Sequence, residues 1–305
     1  MELSPAAWKH RVWRPESSIR LLKYACRARD ARARAPPAAR VPKRVDVAAP
    51  GSVFLSPTRH PLGIGGGGSG IKGAPVDLAT GQFVKDRLRV VTPKVSSPAA
   101  VADIVAQIAR HFADDIGDCP IGVTLPAVVT RGVVRTAANI DPAWVGTDAQ
   151  KLLSAKLGRP VTVVNDADAA GVGELHFGAA RNTGGLVLMT TLGTGIGSAL
   201  LYDGVLVPNS ELGHLEIDGH DAEDRAAAIV RDDKDLSWQE WSDRLQRYYS
   251  HVEDLLWPDL IVVGGGVSTK ADKFLPLLHL RAPIVAAQLG TSAGIIGAAW
   301  PPTHR

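Results

Sequence analysis

Two short stretches of the 305-residue chain repeat one another 125 positions apart: Gly68-Ser69-Gly70-Ile71-Lys72-Gly73-Ala74 and Gly193-Thr194-Gly195-Ile196-Gly197-Ser198-Ala199. Each follows or interrupts apolar sequence. Each is succeeded by a second apolar segment and a turn signal, Thr80-Gly81 or Asp203-Gly204. A strand, a Gly/hydroxyl turn and a returning strand are therefore written twice, which points to two related halves. Tight glycine turns expose backbone N–H groups, and a small hydroxyl adds a donor, so such turns cradle phosphate without a bulky side chain. Two of them in related halves imply a cleft that grips a phosphate donor from both sides.

Hydrophobic residues make up 45% of the chain and aromatics 5%, so a sizeable core has to be built from Ala, Val, Leu and Ile. No 18-residue apolar span occurs, which argues against a transmembrane helix and a membrane partner. The two cysteines, Cys26 and Cys119, exclude a disulfide scaffold and a Cys-rich zinc site and fit a reducing cytoplasm. The net charge of +3 is unevenly spread: residues 1–60 hold 13 Lys/Arg against 4 Asp/Glu, and the remainder holds 21 against 27. The mildly acidic remainder does not look like a nucleic-acid binder.

Residues 1–60 lack helical or strand periodicity. The basic run Arg27 to Pro37 is of low complexity and predicts a disordered extension. A transit peptide, or a stretch ahead of a translation start near His60, fits the same composition; a secretory signal does not, for want of an apolar h-region. The folded part begins near Pro61. Strands are predicted over 83–92, 121–125, 161–164, 186–191, 199–202 and 260–263. Helices are predicted over 98–113, with Val101, Ile104, Val105, Ile108 and Phe112 on one face, over 147–157 with Thr147 or Asp148 as N-cap, after Asn165-Asp166-Ala167-Asp168 to about Phe177, over 238–256 and over 292–300. The alternation implies an α/β fold with helices on both sheet faces.

Asp166 directly follows the buried strand Val161–Val164 and so stands at a strand's carboxyl end, where open α/β sheets place ligands. A single Asp at a strand end could instead be a helix N-cap; Asn165 beside it can donate and accept, which suits a polyol. Asp168 reads as capping or facing away. Glu211 and His214 are spaced to converge on one bound molecule. They could be a metal pair, but no third strong ligand stands at the usual spacing, and a hydroxyl-rich ligand fits better. Gly264-Gly265-Gly266 after a strand lets another body, a base or a neighbouring element, approach the backbone. Lys72 could meet phosphate charge or be a plain surface lysine.

At these residues the chain resembles the ROK family of sugar kinases, within the actin-like ATPase (ribonuclease H-like) fold, two α/β domains flanking a cleft. Within that family it is similar to the polyphosphate glucokinase branch, also called polyphosphate/ATP glucomannokinases. The matching strings are Gly67–Gly73, Gly132–Asn139, Asn165–Gly171, Leu192–Gly197, Glu211–Glu216, and Trp257–Leu260 with Gly264–Gly266. They span about residues 61–300; residues 1–60 match nothing. The resemblance implies a smaller domain of residues 61–138 plus 290–305 and a larger one of 139–289. It implies Asp166 as the general base for a sugar 6-hydroxyl, with Asn139, Asn165, Glu211, His214 and Glu223 holding other hydroxyls. Gly67, Gly68, Ser69, Gly70 and Lys72 would form one phosphate site; Thr191, Gly193, Thr194, Gly195 and Gly197 would form the other. Gly264, Gly265 and Gly266 would lie near the adenosine of ATP. The donor would be polyphosphate or ATP with Mg²⁺, the acceptor glucose or mannose, and the assembly a homodimer. No zinc is expected: where most ROK kinases have a Cys-rich motif, this chain reads His220-Asp221-Ala222-Glu223. Lys72 and Arg135 are candidates for a basic groove beside the cleft.

One departure stands out. The family pattern Gly-Ile-Asp-Ile-Gly-Gly reads here Gly63-Ile64-Gly65-Gly66-Gly67-Gly68. Gly65 replaces an Asp that helps hold the magnesium shell, and Gly66 replaces a strand residue. Two strand glycines weaken a strand by roughly 1 kcal/mol each, and a missing carboxylate near a metal removes charge stabilisation. An impaired sugar-binding homologue, an ATP-only hexose kinase and a sugar-sensing repressor are the competing readings. A repressor would need an N-terminal helix-turn-helix, against which Pro15, Pro36 and Pro37 argue.

Overall fold

β1 (Leu62–Gly67) is answered by β2 (Gly70–Asp77) in an antiparallel hairpin whose register runs from Leu62 opposite Pro75 to Gly67 opposite Gly70. This is the first of the two glycine hairpins. The structure, a computed structural model, describes residues 59–67, 70–137 and 140–300. The expected N-terminal extension up to residue 58 lies outside the described residues, as do Gly68, Ser69 and Asn139. All described residues belong to one compact unit, Phe54–Arg305.

Beyond β2 come β3 (Gln82–Phe83) and β4 (Leu88–Val90), in place of the single strand expected over 83–92. Both pair with β2, but Phe83 faces Val76 while Leu88 faces Gly73, so two extra residues bulge out between them. Pro75 of β2 sits at the break; it has no N–H to offer, although its carbonyl accepts from Val84 N at 2.9 Å.

α1 (Pro98–His111) starts where Ser97 Oγ accepts from Ala100 N and Pro98 pre-sets the first turn, and it buries Val101, Val105 and Ile108. The short α2 (Ala113–Ile116) leads to β5 (Ile121–Leu125), buried throughout. A small hairpin, β6 (Val129–Thr130) with β7 (Val133–Val134), precedes α3 (Ala149–Leu157). Asp148 caps α3 by accepting from Lys151 N at 2.8 Å, and Gly158 closes it in the left-handed conformation. β8 (Val161–Asn165) pairs parallel with β5 and completes a sheet in the order β3-β2-β1-β5-β8, with β4 also on β2. The first sheet thus draws on residues up to Asn165, past the division expected at residue 138, because Val161–Asn165 pairs with Ile121–Leu125.

α4 (Asp166–Phe177) follows without a break. The second sheet then repeats the first. β9 (Leu186–Leu192) and β10 (Ile196–Tyr202) form the second glycine hairpin, and β11 (Val205–Val207) lies outside β10. Two small strands, β12 (Glu216–Ile217) and β13 (His220–Asp221), lead through α5 (Glu223–Ala226) and α6 (Ala228–Asp233) to the long α7 (Trp238–Leu256). A capping box starts α7: Ser237 Oγ accepts from Glu240 N, and Glu240 Oε2 accepts from Ser237 N at 2.9 Å. β14 (Leu260–Gly264) and β15 (Ile284–Ala286) add in parallel, giving the order β11-β10-β9-β14-β15. Hairpin, crossover and two parallel strands recur in the same order, so the repeat legible at the turns extends over both sheets. No helix among the described residues is long and apolar enough to cross a membrane.

α8 (Ala293–Ala299) follows β15 as α4 follows β8, and these two helices pack on one another at the junction of the sheets. Glycines allow the approach. A Cβ at Gly297 would lie 1.7 Å from Ala169 O, and one at Gly173 would lie 2.5 Å from Ala293 O. On the other side, Cβ atoms at Gly63 and Gly122 would each lie 1.8 Å from a carbonyl of α8. Helix propensity alone would favour Gly297→Ala by about 1 kcal/mol, but the overlap with backbone outweighs it. We expect Gly297→Ala to destabilise the protein by about 1–3 kcal/mol, seen as a lower urea midpoint at unchanged m-value; a raised midpoint would mean the helices part freely.

Candidate active site

A cavity of about 710 Å³ opens between the two sheets, at the carboxyl ends of β5, β8, β9 and β14. Both glycine hairpins contribute walls. From the first come Gly65, Gly66, Gly70 and Lys72; from the second come Thr191, Gly193, Thr194, Gly195 and Gly197. Lys72 is half-buried and stands across the hairpin from Gly65. Gly67 ends β1 opposite Gly70.

The second turn is held from within and from behind. Gly193 N donates to Gly195 O at 3.0 Å, and Ile196 N donates to Glu223 Oε2 at 3.0 Å. A Cβ at Gly195 would lie 2.5 Å from that same carboxylate oxygen, so the brace and the glycine require each other. Of the glycine triplet, Gly265 and Gly266 line the cavity. Gly264 and Gly265 also satisfy packing: their Cβ atoms would lie 2.5 Å from Met189 Cε and 2.2 Å from Leu192 O. Gly265 has a φ of 84°, and Gly266 has nothing within 4 Å of its Cβ position. The open backbone surface is therefore at Gly266.

Asp166 begins α4 and is half-buried in the cavity wall, where its Oδ1 accepts from Ala167 N at 2.9 Å. Burial pushes its carboxyl up to about 6, and the charge of Glu211 adds to the rise, while the Ala167 amide opposes it. Asn165 lines the cavity too, yet its side chain is mostly committed to structure. Its Oδ1 caps α4 by accepting from Ala167 N and Asp168 N, and its Nδ2 donates to Ala127 O at 3.1 Å. One N–H is left for a ligand.

Glu211, His214 and Glu223 line the cavity together, with both carboxylates beside the imidazole. His214 Nε2 is 3.8 Å from Glu211 Oε2, and its Nδ1 is 3.8 Å from Glu223 Oε1. The firmest contact of the imidazole is one that spacing along the chain did not single out: Nδ1 lies 3.1 Å from Asp221 Oδ2. That hydrogen bond, the largest influence, raises the His214 pKa, with the charges of Glu223, Glu211 and Asp221 adding to it and burial opposing. Glu211 is raised by burial, against the pull of His214. With Asp221 accepting at Nδ1, Nε2 faces Glu211 and the cavity. Arg135 does not appear in the cavity wall; its Nε donates to Thr130 Oγ1 at 2.5 Å. Thr124, Thr136 and Thr291, which the sequence did not mark, line the cavity as well.

Comparisons with known proteins give the family. Residues 61–228 match the model of the ROK family. A polyphosphate glucokinase of Mycobacterium tuberculosis (strain CDC 1551 / Oshkosh) is 50% identical over 242 residues, 79% of this chain and 90% of that protein. This chain belongs to the ROK family. The crystal structure of an inorganic polyphosphate/ATP-glucomannokinase from Arthrobacter sp. strain KM superposes with a TM-score of 0.76 at 52% identity, covering 79% of this chain and 97% of that one. A ROK family glucokinase from Streptomyces griseus, in complex with glucose and AMPPNP, has a TM-score of 0.68 at 23% identity, covers 79% of this chain and 98% of its own, and shares the fold. The ROK fold, an actin-like ATPase fold, is thus the architecture of this chain.

Among the described residues no group of three or more His, Cys, Asp or Glu converges to hold a metal. A magnesium ion that travels with a phosphate donor keeps most of its waters and asks for one or two carboxylates. Asp166 is a carboxylate that lines the cavity along with residues of both hairpins. At Gly65 a Cβ would lie 3.3 Å from Ile295 Cγ1 and 3.4 Å from Thr124 Oγ1, so a side chain there is tight but accommodated by small shifts.

The Asp221 contact gives a direct check. In a histidine-resolved NMR titration, His214 should titrate above the ordinary imidazole range, and Asp221→Asn should bring it down. An unchanged His214 titration in the variant would show that Glu211 and Glu223 set its protonation.

Proposed function

We propose that this ROK family member transfers the terminal phosphoryl group of inorganic polyphosphate or ATP to the 6-hydroxyl of glucose, with Asp166 as general base. The observation that carries the reading is the position of Asp166: a carboxylate raised to about 6, on the first turn of α4, in a cavity walled on both sides by glycine hairpins. A base with that pKa is mostly ionised at neutral pH and still matched to take a proton as the hydroxyl attacks.

The transfer then needs little covalent chemistry from the protein and much positioning. The backbone N–H groups of Thr194 and Gly195 in the second turn serve the donor phosphates, and the Lys72 ammonium of the first hairpin adds charge. Asp166 would be the carboxylate to hold a magnesium that arrives with the donor, and such an ion would supply charge neutralisation for the phosphate oxygens. Glu211, His214 and Glu223 take the sugar's other hydroxyls: the carboxylates accept, and His214 Nε2 serves the remaining partner. The spare Asn165 N–H and Asn139 complete that set. Gly266 leaves room for the adenosine when ATP is the donor. The 50% identity to a polyphosphate glucokinase and the 52% identity to a polyphosphate/ATP-glucomannokinase favour polyphosphate use, with mannose as the second acceptor to test. The proposed assembly is a cytoplasmic homodimer.

Asp166→Asn should lower kcat by about 10²–10⁴ while glucose affinity by calorimetry stays within about tenfold. For the parent protein, kcat/KM should rise with pH and level off above about 6, because the base must be ionised to act. An acid limb that survives in the residual activity of Asp166→Asn would assign it to another group.

Gly65 supports a second reading, a slow kinase. Purified protein with Mg²⁺ and glucose should be assayed with polyphosphate and with ATP, alongside Gly65→Asp. We expect the parent to turn over and Gly65→Asp to raise kcat by about tenfold or more. Equal rates would show that the missing carboxylate is without consequence; activity only in the variant would establish the impaired reading.

A further inference from the structure

Asn209 sits between the outer strand β11 and the Glu211–His214 turn, in no predicted site and no cavity wall. Its connections are nevertheless unusual. Its side-chain amide pairs with both backbone groups of Val129: Val129 N donates to Asn209 Oδ1 at 2.8 Å, and Asn209 Nδ2 donates to Val129 O at 3.0 Å. Val129 belongs to the β6–β7 hairpin and to the hydrophobic core of the first sheet, while Asn209 belongs to a loop of the second. The amide thus imitates one rung of a β-ladder across the two halves of the molecule.

The backbone of Asn209 is tied as well. Its N–H donates to Asp168 Oδ2 at 2.8 Å. Asp168 is 2% exposed, lies two residues after Asp166 in α4, and has no partner for Oδ1 among the described residues. It is absent from the cavity wall, and its carboxylate turns to the Asn209 backbone instead of capping a helix. Asn209 has a φ of 61°, a left-handed conformation that Asn tolerates better than most residues. Just beyond it, buried Ser198 fixes the loop again: its Oγ donates to Ser210 O at 2.8 Å and accepts from Leu212 N at 2.9 Å. The Glu211–His214 segment is therefore held to α4, to β10 and to the opposite half of the molecule. Thr136 and Ile140, which come after the β6–β7 hairpin in the chain, also line the cavity.

We propose that Asn209 is a positioning residue that sets the spacing between the two walls of the acceptor-sugar end, with Asp168 as its anchor. It touches no substrate. It acts through Glu211 and His214 on one wall and the β6–β7 hairpin on the other. This inference rests on reading that end of the cavity as the sugar site. The consequence is selective: loosening the rung should weaken the grip on the acceptor and leave the donor end, built on the glycine hairpins, as it was.

The test is steady-state kinetics on the full chain with glucose and polyphosphate, using Asn209→Gly. Glycine keeps the left-handed backbone without strain and removes only the side chain. Loss of two neutral hydrogen bonds should raise the glucose KM by about tenfold, with the donor KM within about twofold and kcat reduced less than the specificity for glucose. A glucose KM within about twofold of the parent, or glucose and donor KM rising together, would overturn the proposal. Should Asn209→Gly fail to fold, Asn209→Asp replaces it. That variant keeps the acceptor for Val129 N, loses the donor to Val129 O and places a second carboxylate beside Asp168, so the glucose KM should rise in the same selective way, and an unchanged value would count against the proposal. As a rescue, Asp168→Leu should raise the glucose KM, and Asp168→Asn, whose amide oxygen still accepts from Asn209 N, should recover most of the loss. A parent protein that neither binds nor phosphorylates glucose would sink the functional reading itself, whereas an active parent with a silent Asn209→Gly would sink only the positioning role.

Discussion

The contact between α4 and α8 is the constraint on which the rest of the molecule depends. Each helix follows the last strand of its own sheet, and each needs the other to cover its small-residue face. Gly297 against Ala169 and Gly173 against Ala293 bring backbone to backbone, with no room for a Cβ. Gly63 and Gly122 seat α8 on the first sheet in the same way. Because the helices meet this closely, the first turn of α4, with Asp166, and the first turn of α8, with Gly294 and Ile295, border one cavity. The cleft therefore follows from how the two halves are joined, and each half alone would present only part of it.

The site combines two physical devices. At the hairpin end, missing side chains matter: the backbone is laid bare, and Gly195 leaves the space that the Glu223 carboxylate occupies as it receives Ile196 N–H. At the other end, charge is concentrated. Glu211, Asp221 and Glu223 surround His214, and Glu211 also pushes Asp166 upward. Glu223 belongs to both ends. One of its oxygens braces the hairpin while the other faces His214, so a change in the carboxylate cluster reaches the phosphate side through a single side chain.

Much of this was legible in the sequence, and the reasons differ by residue. The duplicated glycine turns announced the repeated sheet because a hairpin is a local structure with local turn chemistry. Helix α1 was readable from its apolar face and α3 from its N-cap, which are also local. The split of the 83–92 strand was not, because it follows from the register against β2 and from Pro75 on the partner. Asn165 was expected to serve a ligand, yet most of its hydrogen-bonding capacity goes into capping α4 and holding Ala127. The glycine triplet was open to a base or to a neighbouring element, and packing on β9 accounts for Gly264 and Gly265. Asp221 and Asn209 carried no signal at all, since each matters through a partner distant in the chain or across a hairpin.

The sequence by itself determined the fold class, the family, the two hairpins and the carboxylate at the end of β8. These are properties of short windows, in which spacing and turn chemistry decide the outcome. Only the tertiary structure decided which atoms remain available in the cavity, how the His214 imidazole is oriented and what joins its two walls. Those outcomes depend on the distances between segments far apart in the chain, and burial and charge act through such distances.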